Sequence, residues 1–280
     1  VLSRTEALSI VSPGTSYPMS MNISKSLLKK VGITMESFSK FKAHLYAFQN
    51  NRQEAKFPSP SSRKDYAEVI GLSFMECAQG ILAGYFKVFS KEDGKTIVRE
   101  IHPTAIELYY HEEGPGRFKD PIMYHTNDRK RADHPDFFEK RGIESIPYFP
   151  LGSVNPHTSG IDITFENPEL KYRASFLIRE YKIKYESGKE LSVKNSTEIY
   201  DDMLIKGIPL ESSDWVEWHD GGIIAEECIE RCWRRNVSDY VEVSPGDWRK
   251  NTNIEGKEYF TLSGVKYVKC PFKWQFKVKK

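Results

Sequence analysis

Cysteine is scarce, with four in 280 residues. Cys77, Cys228, Cys232 and Cys270 are too few and too scattered for a disulfide framework, so a stapled secreted scaffold is excluded. Cys228 and Cys232 stand at i, i+4 and would share one helix face. A zinc site needs two further ligands, and none lies at a recognised spacing, so buried free thiols in a reducing compartment are expected. No apolar run is long: Gly80 to Phe89 is the longest and is interrupted by Lys87, too short to cross a bilayer. The opening residues lack the basic, apolar, small-residue order of a secretory signal. Neither sign of charge dominates, since 41 Lys and Arg face 39 Asp and Glu for a net of +2. Net charge therefore neither demands nor rejects a nucleic-acid partner; only local clustering bears on it. What is present is globular, 39% hydrophobic and 13% aromatic, so a soluble intracellular protein of the cytoplasm or nucleus is expected.

Residues 1–24, rich in Ser, Pro, Met and Thr, read as a loose arm. From Lys25 to Asn50 the apolar residues Leu27, Leu28, Val31, Phe38, Phe41, Leu45 and Phe48 recur near helical period, and Gly32 divides them into two helices. Asn51–Lys64, with Pro58 and Pro60, is a linker. This sets residues 1–64 apart from a main domain over 65–280. Asp65 is placed to cap a helix running to Ala83. Short β-rich runs follow at Leu82–Phe89, Thr96–Ile101 and Ala105–Tyr110, with Glu92-Asp93-Gly94 as a hairpin signal. An irregular, charged stretch covers Glu112–Pro147. Strands resume at Gly160–Phe165 and Ala174–Tyr185, then helices at Thr197–Gly207 and Gly222–Arg234, then several short strands to Lys280. The expected class is α+β: a single mixed domain with a curved, mainly antiparallel β-sheet flanked by helices.

Two segments carry the chemistry. In Ile101–Asn127, strand alternation puts Glu107 and Tyr109 on one face, opposite Ile106 and Leu108, at the mouth of a loop that holds Asp120 and His125. An acid beside an aromatic suits a polar pocket; the plainer alternative is that both face solvent. In Ser159–Ile183, Asp162 lies between two isoleucines, and Arg179 follows the apolar run Phe176-Leu177-Ile178. A buried arginine needs a carboxylate or phosphate partner, which Asp162 or Glu107 can supply.

The order Glu-x-Tyr (Glu107, Tyr109), then Asp120 and His125, resembles the motif of the alkyladenine (3-methylpurine) DNA glycosylases. GIDITF and SFLIREYKI are similar to the two later strands of that family, with Asp162 where the family has Asn and Arg179 at the arginine. STEIYDDMLIKGI and CPFKWQF resemble its following helix and closing strand, so the likeness runs in order over about 67–280. It implies that Glu107 activates the water that attacks the sugar, with Arg179 beside it. It also implies that Tyr109 stacks on one side of an extruded base, with His125 on the other side or against the neighbouring phosphate, and that Asp162 faces the base. The family's wedge tyrosine has no clear match here, Tyr148 and Phe149 being the candidates. The family's chemistry requires no metal or organic cofactor, and the partner is DNA. Arg117, Lys119, Arg129, Lys130, Arg131 and the basic-aromatic run Lys269–Lys280 are candidate phosphate contacts. Two alternatives stand beside it: a magnesium-dependent nuclease using Asp162, Glu169 and Lys171, and a non-catalytic nucleic-acid-binding module on the same framework.

Overall fold

The computed structural model describes residues 35–52, 63–114, 117–120, 122–123, 147–157, 159–203, 215–235, 237–244 and 247–279. Contacts divide the chain into Val1–Thr34 and a unit Met35–Lys280; the first lies outside the described residues.

A long antiparallel ribbon is the spine of that unit. Strand β1 (Tyr85–Glu92) turns through Asp93 and Gly94, both at positive φ, into β2 (Lys95–Glu112). This is the backbone that the Asp-Gly hairpin signal calls for. β2 pairs with β5 (Tyr172–Tyr185) from Arg99↔Tyr185 to Glu112↔Tyr172. Both long strands change their other neighbour half-way. On β2, residues Lys95 to Ile101 pair with β1, whereas Ala105 to Glu107 pair with β13 (Gln275–Val278). On β5, Ser175 to Leu177 pair with β4 (Gly160–Thr164), and Tyr181 to Lys184 pair with β6 (Glu190–Val193). The register shifts at the changeover: Pro103 pairs with Tyr181, Ala105 with Glu180 and Ile106 with Ile178, so Thr104 and Arg179 drop out of the ladder. Pro103 has no N–H to give to the ladder, and bulges of this kind re-aim the side chains beside them. β3 (Val154–His157), β7 (Val216–His219) and β8 (Ile229–Cys232) complete a nine-stranded sheet. Two hairpins, β9/β10 (Tyr240–Ser244, Asp247–Lys250) and β11/β12 (Tyr259–Leu262, Val265–Val268), stand outside it.

Helices α1 (Met35–Asn51), α2 (Arg63–Ser73) and α3 (Met75–Ala83) cover one face of the sheet. The core between them is aromatic: Phe48 meets Phe165, Tyr110, Tyr172 and Phe74 at centroid distances of 5.3, 5.7, 5.8 and 6.1 Å. Each such side chain contributes about 1.5–3 kcal/mol on burial. The Trp274 indole N–H donates to the Ala67 carbonyl at 2.7 Å, fixing the segment before β13 to α2. Where α1 crosses α3, Gly80 leaves room for the His44 ring; a Cβ there would lie 2.0 Å from Nδ1. Glu112, at the end of β2, gathers the Tyr66 and Tyr110 hydroxyls and the Arg52 guanidinium. Burial works to raise its carboxyl, but those three donors hold it below the usual carboxylate range.

The fold is α+β with a mainly antiparallel sheet flanked by helices. Several elements differ from expectation. Residues 35–50, grouped above with the arm, are core: Phe38, Phe41, Leu45 and Phe48 are buried under the sheet. The helix over Asp65–Ala83 is two, meeting at Phe74. Thr197–Gly207 holds a 3-10 turn at Ser196–Glu198 and one short helix, α4 (Ile199–Asp202), with residues 204–210 outside the described set. Gly222–Arg234 is not helical; it is a 3-10 turn at Glu226–Cys228 followed by β8. β8 pairs with the edge of β13, and that tertiary pairing overrides the i, i+4 pattern of Cys228 and Cys232.

Candidate active site

Cross-strand partners share a face. One row across the sheet therefore runs Asp162, Leu177, Glu107, Gln275, Cys232, and the next runs Thr164, Ser175, Tyr109. This face lies opposite the helices. Glu107 sits at its centre and is 0% exposed. Its Oε1 accepts from the Tyr109 hydroxyl at 2.6 Å and from Arg179 Nη2 at 2.6 Å, and Arg179 also donates to the Tyr109 oxygen at 2.9 Å. Its Oε2 accepts the backbone N–H of Arg235 at 2.9 Å. A carboxylate offers about four lone-pair positions; three are taken here, and the fourth is on Oε2.

Alternation from Leu177 already puts Arg179 on the Glu107 face, and the bulge adds its neighbour. It turns two consecutive side chains, Arg179 and Glu180, to the same face. Arg179 goes to Glu107, while Glu180 binds Lys277 at 2.8 Å and the Arg235 guanidinium. Burial disfavours the Arg179 charge, but Tyr109 and Glu107 outweigh it and hold the group protonated above its ordinary range. Burial likewise pushes the Tyr109 phenol well up, so it remains a donor to Glu107. Asp162, 2% exposed, adds its negative field to both.

A second ion pair backs the first. Arg234 and Asp120 are both buried and joined at 2.5 and 3.2 Å. The Arg234 guanidinium lies 5.2 Å from the Tyr109 ring centroid and 5.1 Å from that of Trp274. Along the same face, Arg173 pairs with Glu113 at 2.8 Å and lies 4.2 Å over the Tyr148 ring, while Phe149 packs on Tyr109, Met123 and Leu177.

Glu107, Tyr109, Arg179 and Asp162 thus share one face, with Tyr148 and Phe149 beside them. Glu107 and Tyr109 are buried, against the alternative that they face solvent, and Glu107 is the carboxylate that Arg179 needs. Tyr109 is 2% exposed, enclosed by Met123, Leu177 and Arg234, whereas the resemblance implies a ring open to a base. Tyr148 is held by Arg173 instead of standing free as a wedge. His125 and the basic residues Arg129, Lys130 and Arg131 lie outside the described residues. Of the other basic candidates, Lys119 donates to the Glu112 carbonyl, Lys277 is tied to Glu180 and Lys269 to Glu258, while Arg117 and Lys273 are exposed.

The nuclease set is not assembled. Asp162 is buried in mid-strand, whereas Glu169 and Lys171 are exposed in the turn beyond it. Among the described residues no three His, Cys, Asp or Glu side chains are grouped for a metal ion. The cysteines also differ from expectation: Cys77 and Cys270 are buried, but Cys228 is exposed and Cys232 half-buried. Compared with family models, with curated proteins and with solved structures, the chain matches none. The geometry therefore stands on its own residues.

Three participants escape sequence reasoning: Arg234, Arg235 and Gln275. Assigning Gly222–Arg234 to a helix hides the first two. The available signal is the short run Ile229–Cys232, which leads into Trp233-Arg234-Arg235, an aromatic and two cations delivered at a strand end.

Proposed function

We propose that the chain is a monofunctional DNA glycosylase acting inside the cell, which extrudes a damaged or modified base and hydrolyses its N-glycosidic bond. The observation that carries this is the Glu107–Arg179–Tyr109 cluster, a carboxylate fixed by three donors on a sheet face with one lone-pair position left. A base inside a duplex is out of reach, so the nucleotide must be flipped, at a few kcal/mol and less for a damaged base. Water then attacks the sugar C1′ and gives its proton to Oε2 of Glu107. The negative charge of Glu107 stabilises the developing oxocarbenium ion. Arg179 and Tyr109 are positioning residues that hold Oε1 so that Oε2 faces the reaction. A cationic alkylated base leaves readily, whereas a neutral base needs protonation as well. The access of water to Oε2 requires the Arg235 segment to move, since Glu107 is enclosed in this state.

That enclosure favours one second reading, a binding module in which the same cluster only braces the sheet. The deciding assay is single turnover on labelled duplexes carrying alkylated, deaminated or otherwise modified bases, run in EDTA with alkali to reveal abasic sites. Alkali-dependent breaks that vanish in Glu107→Gln support the glycosylase. Breaks that need magnesium and no alkali, or none on any duplex with the fold of Glu107→Gln intact, overturn it.

A further inference from the structure

A cavity of about 300 Å³ adjoins the Glu107 row, lined by Cys232, Trp233, Arg234, Arg235, Phe260 and Gln275 among others. It shares Trp233 and Lys269 with a wider cleft of about 710 Å³ that reaches Lys64, Lys257 and Lys273, so these two side chains form the partition. Its lining includes the immediate neighbours of Glu107. Gln275 is the register partner of Glu107 on one side and of Cys232 on the other, and the Arg235 N–H bonded to Glu107 belongs to a lining residue. The cavity lies within the range of small-molecule sites, toward its lower end, with room for one heterocycle.

Part of its polar lining is unspent, although Arg234 is paired with Asp120, Arg235 with Glu180 and Lys269 with Glu258. Gln275 is 7% exposed and its Nε2 has no hydrogen-bond partner; the buried Nε of Arg234 has none either. A buried amide N–H left unmatched costs about 1–3 kcal/mol, and a ligand acceptor at this position would offset that cost. A primary amide offers a donor and an acceptor side by side, the pair that reads a base edge. Two aromatics complete the lining. Trp233 is 40% exposed, an unusual setting for an indole, and Phe260 belongs to the β11/β12 hairpin. Indole and phenyl faces stack any base, whatever its sequence.

We propose that this cavity binds a nucleobase, stacked against Trp233 and Phe260 and read at its edge by Gln275. Resting on the glycosylase reading, it is where the extruded base lodges, on the Arg235 side of Glu107 instead of against the enclosed Tyr109. Lys269, on the partition and paired with Glu258 at 3.1 Å, reaches the phosphate that follows by exchanging that partner.

The test is calorimetric titration of the full chain with adenosine, guanosine, cytidine and thymidine, and separately with inorganic phosphate. Nucleosides are expected to bind in the millimolar range or tighter. Trp233→Ala, at a half-exposed position, weakens them about tenfold. Gln275→Leu weakens them and levels the four against one another, while its unfolding midpoint stays equal or rises, because an unmatched amide has gone. A purely structural Gln275 would lower the midpoint and leave the nucleoside ranking alone, which overturns the proposal. So does phosphate binding as tightly as the nucleosides, or nucleoside binding unchanged in Trp233→Ala. Failures are separable. Nucleoside binding with these losses, in a chain that excises no base, keeps the pocket and removes the glycosylase. Excision that both variants leave intact, without nucleoside binding, does the reverse.

Discussion

Arg179, the residue that the β5 bulge drops from the ladder, reaches Glu107 at 2.6 Å. In unbroken register its side chain would follow the alternation, and Glu180 would face away from the site. The pair is nearly sealed, with Arg179 at 11% and Glu107 at 0% side-chain exposure. Arg179→Met therefore leaves a buried carboxylate without its cation and destabilises the fold by about 3–5 kcal/mol. Adding Glu107→Gln to that variant recovers most of the loss. Urea unfolding of the two singles and the double at neutral pH measures it; additive losses would show the two side chains to be independent.

The Asp120–Arg234 pair is buried at 1% on both sides and underlies the Tyr109 ring. Asp120→Ala is expected to cost about 3–5 kcal/mol by stranding the Arg234 guanidinium. The replacement of both by Asp120→Leu with Arg234→Met should cost less than Asp120→Ala alone, read from denaturant midpoints.

Stability has an acid limb set by Glu112. Burial raises its carboxyl, but Tyr110, Tyr66 and Arg52 more than reverse this, so the folded value lies below the unfolded one. Its contribution is then in place above the ordinary glutamate range and drains away as the pH falls through the lowered folded value. Glu112→Gln is expected to be less stable at neutral pH and to lose less than the parent between pH 5 and roughly pH 2. Thermal melts across that window give both slopes, and parallel curves would remove Glu112 from the account.

At the α1–α3 crossing, Gly80→Ala places a methyl against the His44 ring, which Asp220 holds at 2.8 Å. A mid-helix Ala for Gly normally gains up to about 1 kcal/mol. Here overpacking reverses the sign, to a loss of about 1–3 kcal/mol. In a His44→Ala background the same change becomes neutral or favourable, which thermal denaturation of the four proteins resolves.

Thiol reactivity should be ordered by position. Burial raises Cys77 well above its ordinary range and raises Cys270 and Cys232 too, whereas Cys228 is exposed. A single fast equivalent of alkylation, mapped by peptide mass to Cys228, is expected under native conditions. Equal rates at all four would contradict the packing.

The spine of this fold is legible because its signals are local. Asp93-Gly94 marks the hairpin, Glu107 and Tyr109 alternate with Ile106 and Leu108, and the apolar run before Arg179 announces a buried strand that ends in a cation needing a carboxylate. Which carboxylate it is follows from register, and two are available in the sequence. Phe41 and Phe48 give away a helix by their spacing but not the sheet it lies on, so α1 is set apart with the arm when it is core. Cys228 and Cys232 match helical spacing, and nothing near them betrays the strand edge of β13 that claims them. Arg235 and Gln275 come beside Glu107 through pairings more than a hundred residues apart, which no window along the chain can hold.

Translation gives the insertion of β13 between β2 and β8 a further meaning. Residue 107 leaves the ribosome long before residue 275, by roughly 10–30 s at ordinary synthesis rates. Throughout that interval Glu107 belongs to a strand that lacks its second neighbour and the wall that Gln275 supplies, and β8, which leads to Arg235, lacks the strand it pairs with. A nascent chain can therefore settle its helices, its hairpin and the β2/β5 ribbon early while the Glu107 cluster is still incomplete. The Glu107 cluster is completed by the last strand described, so a chain released early carries most of the fold without its finished surroundings.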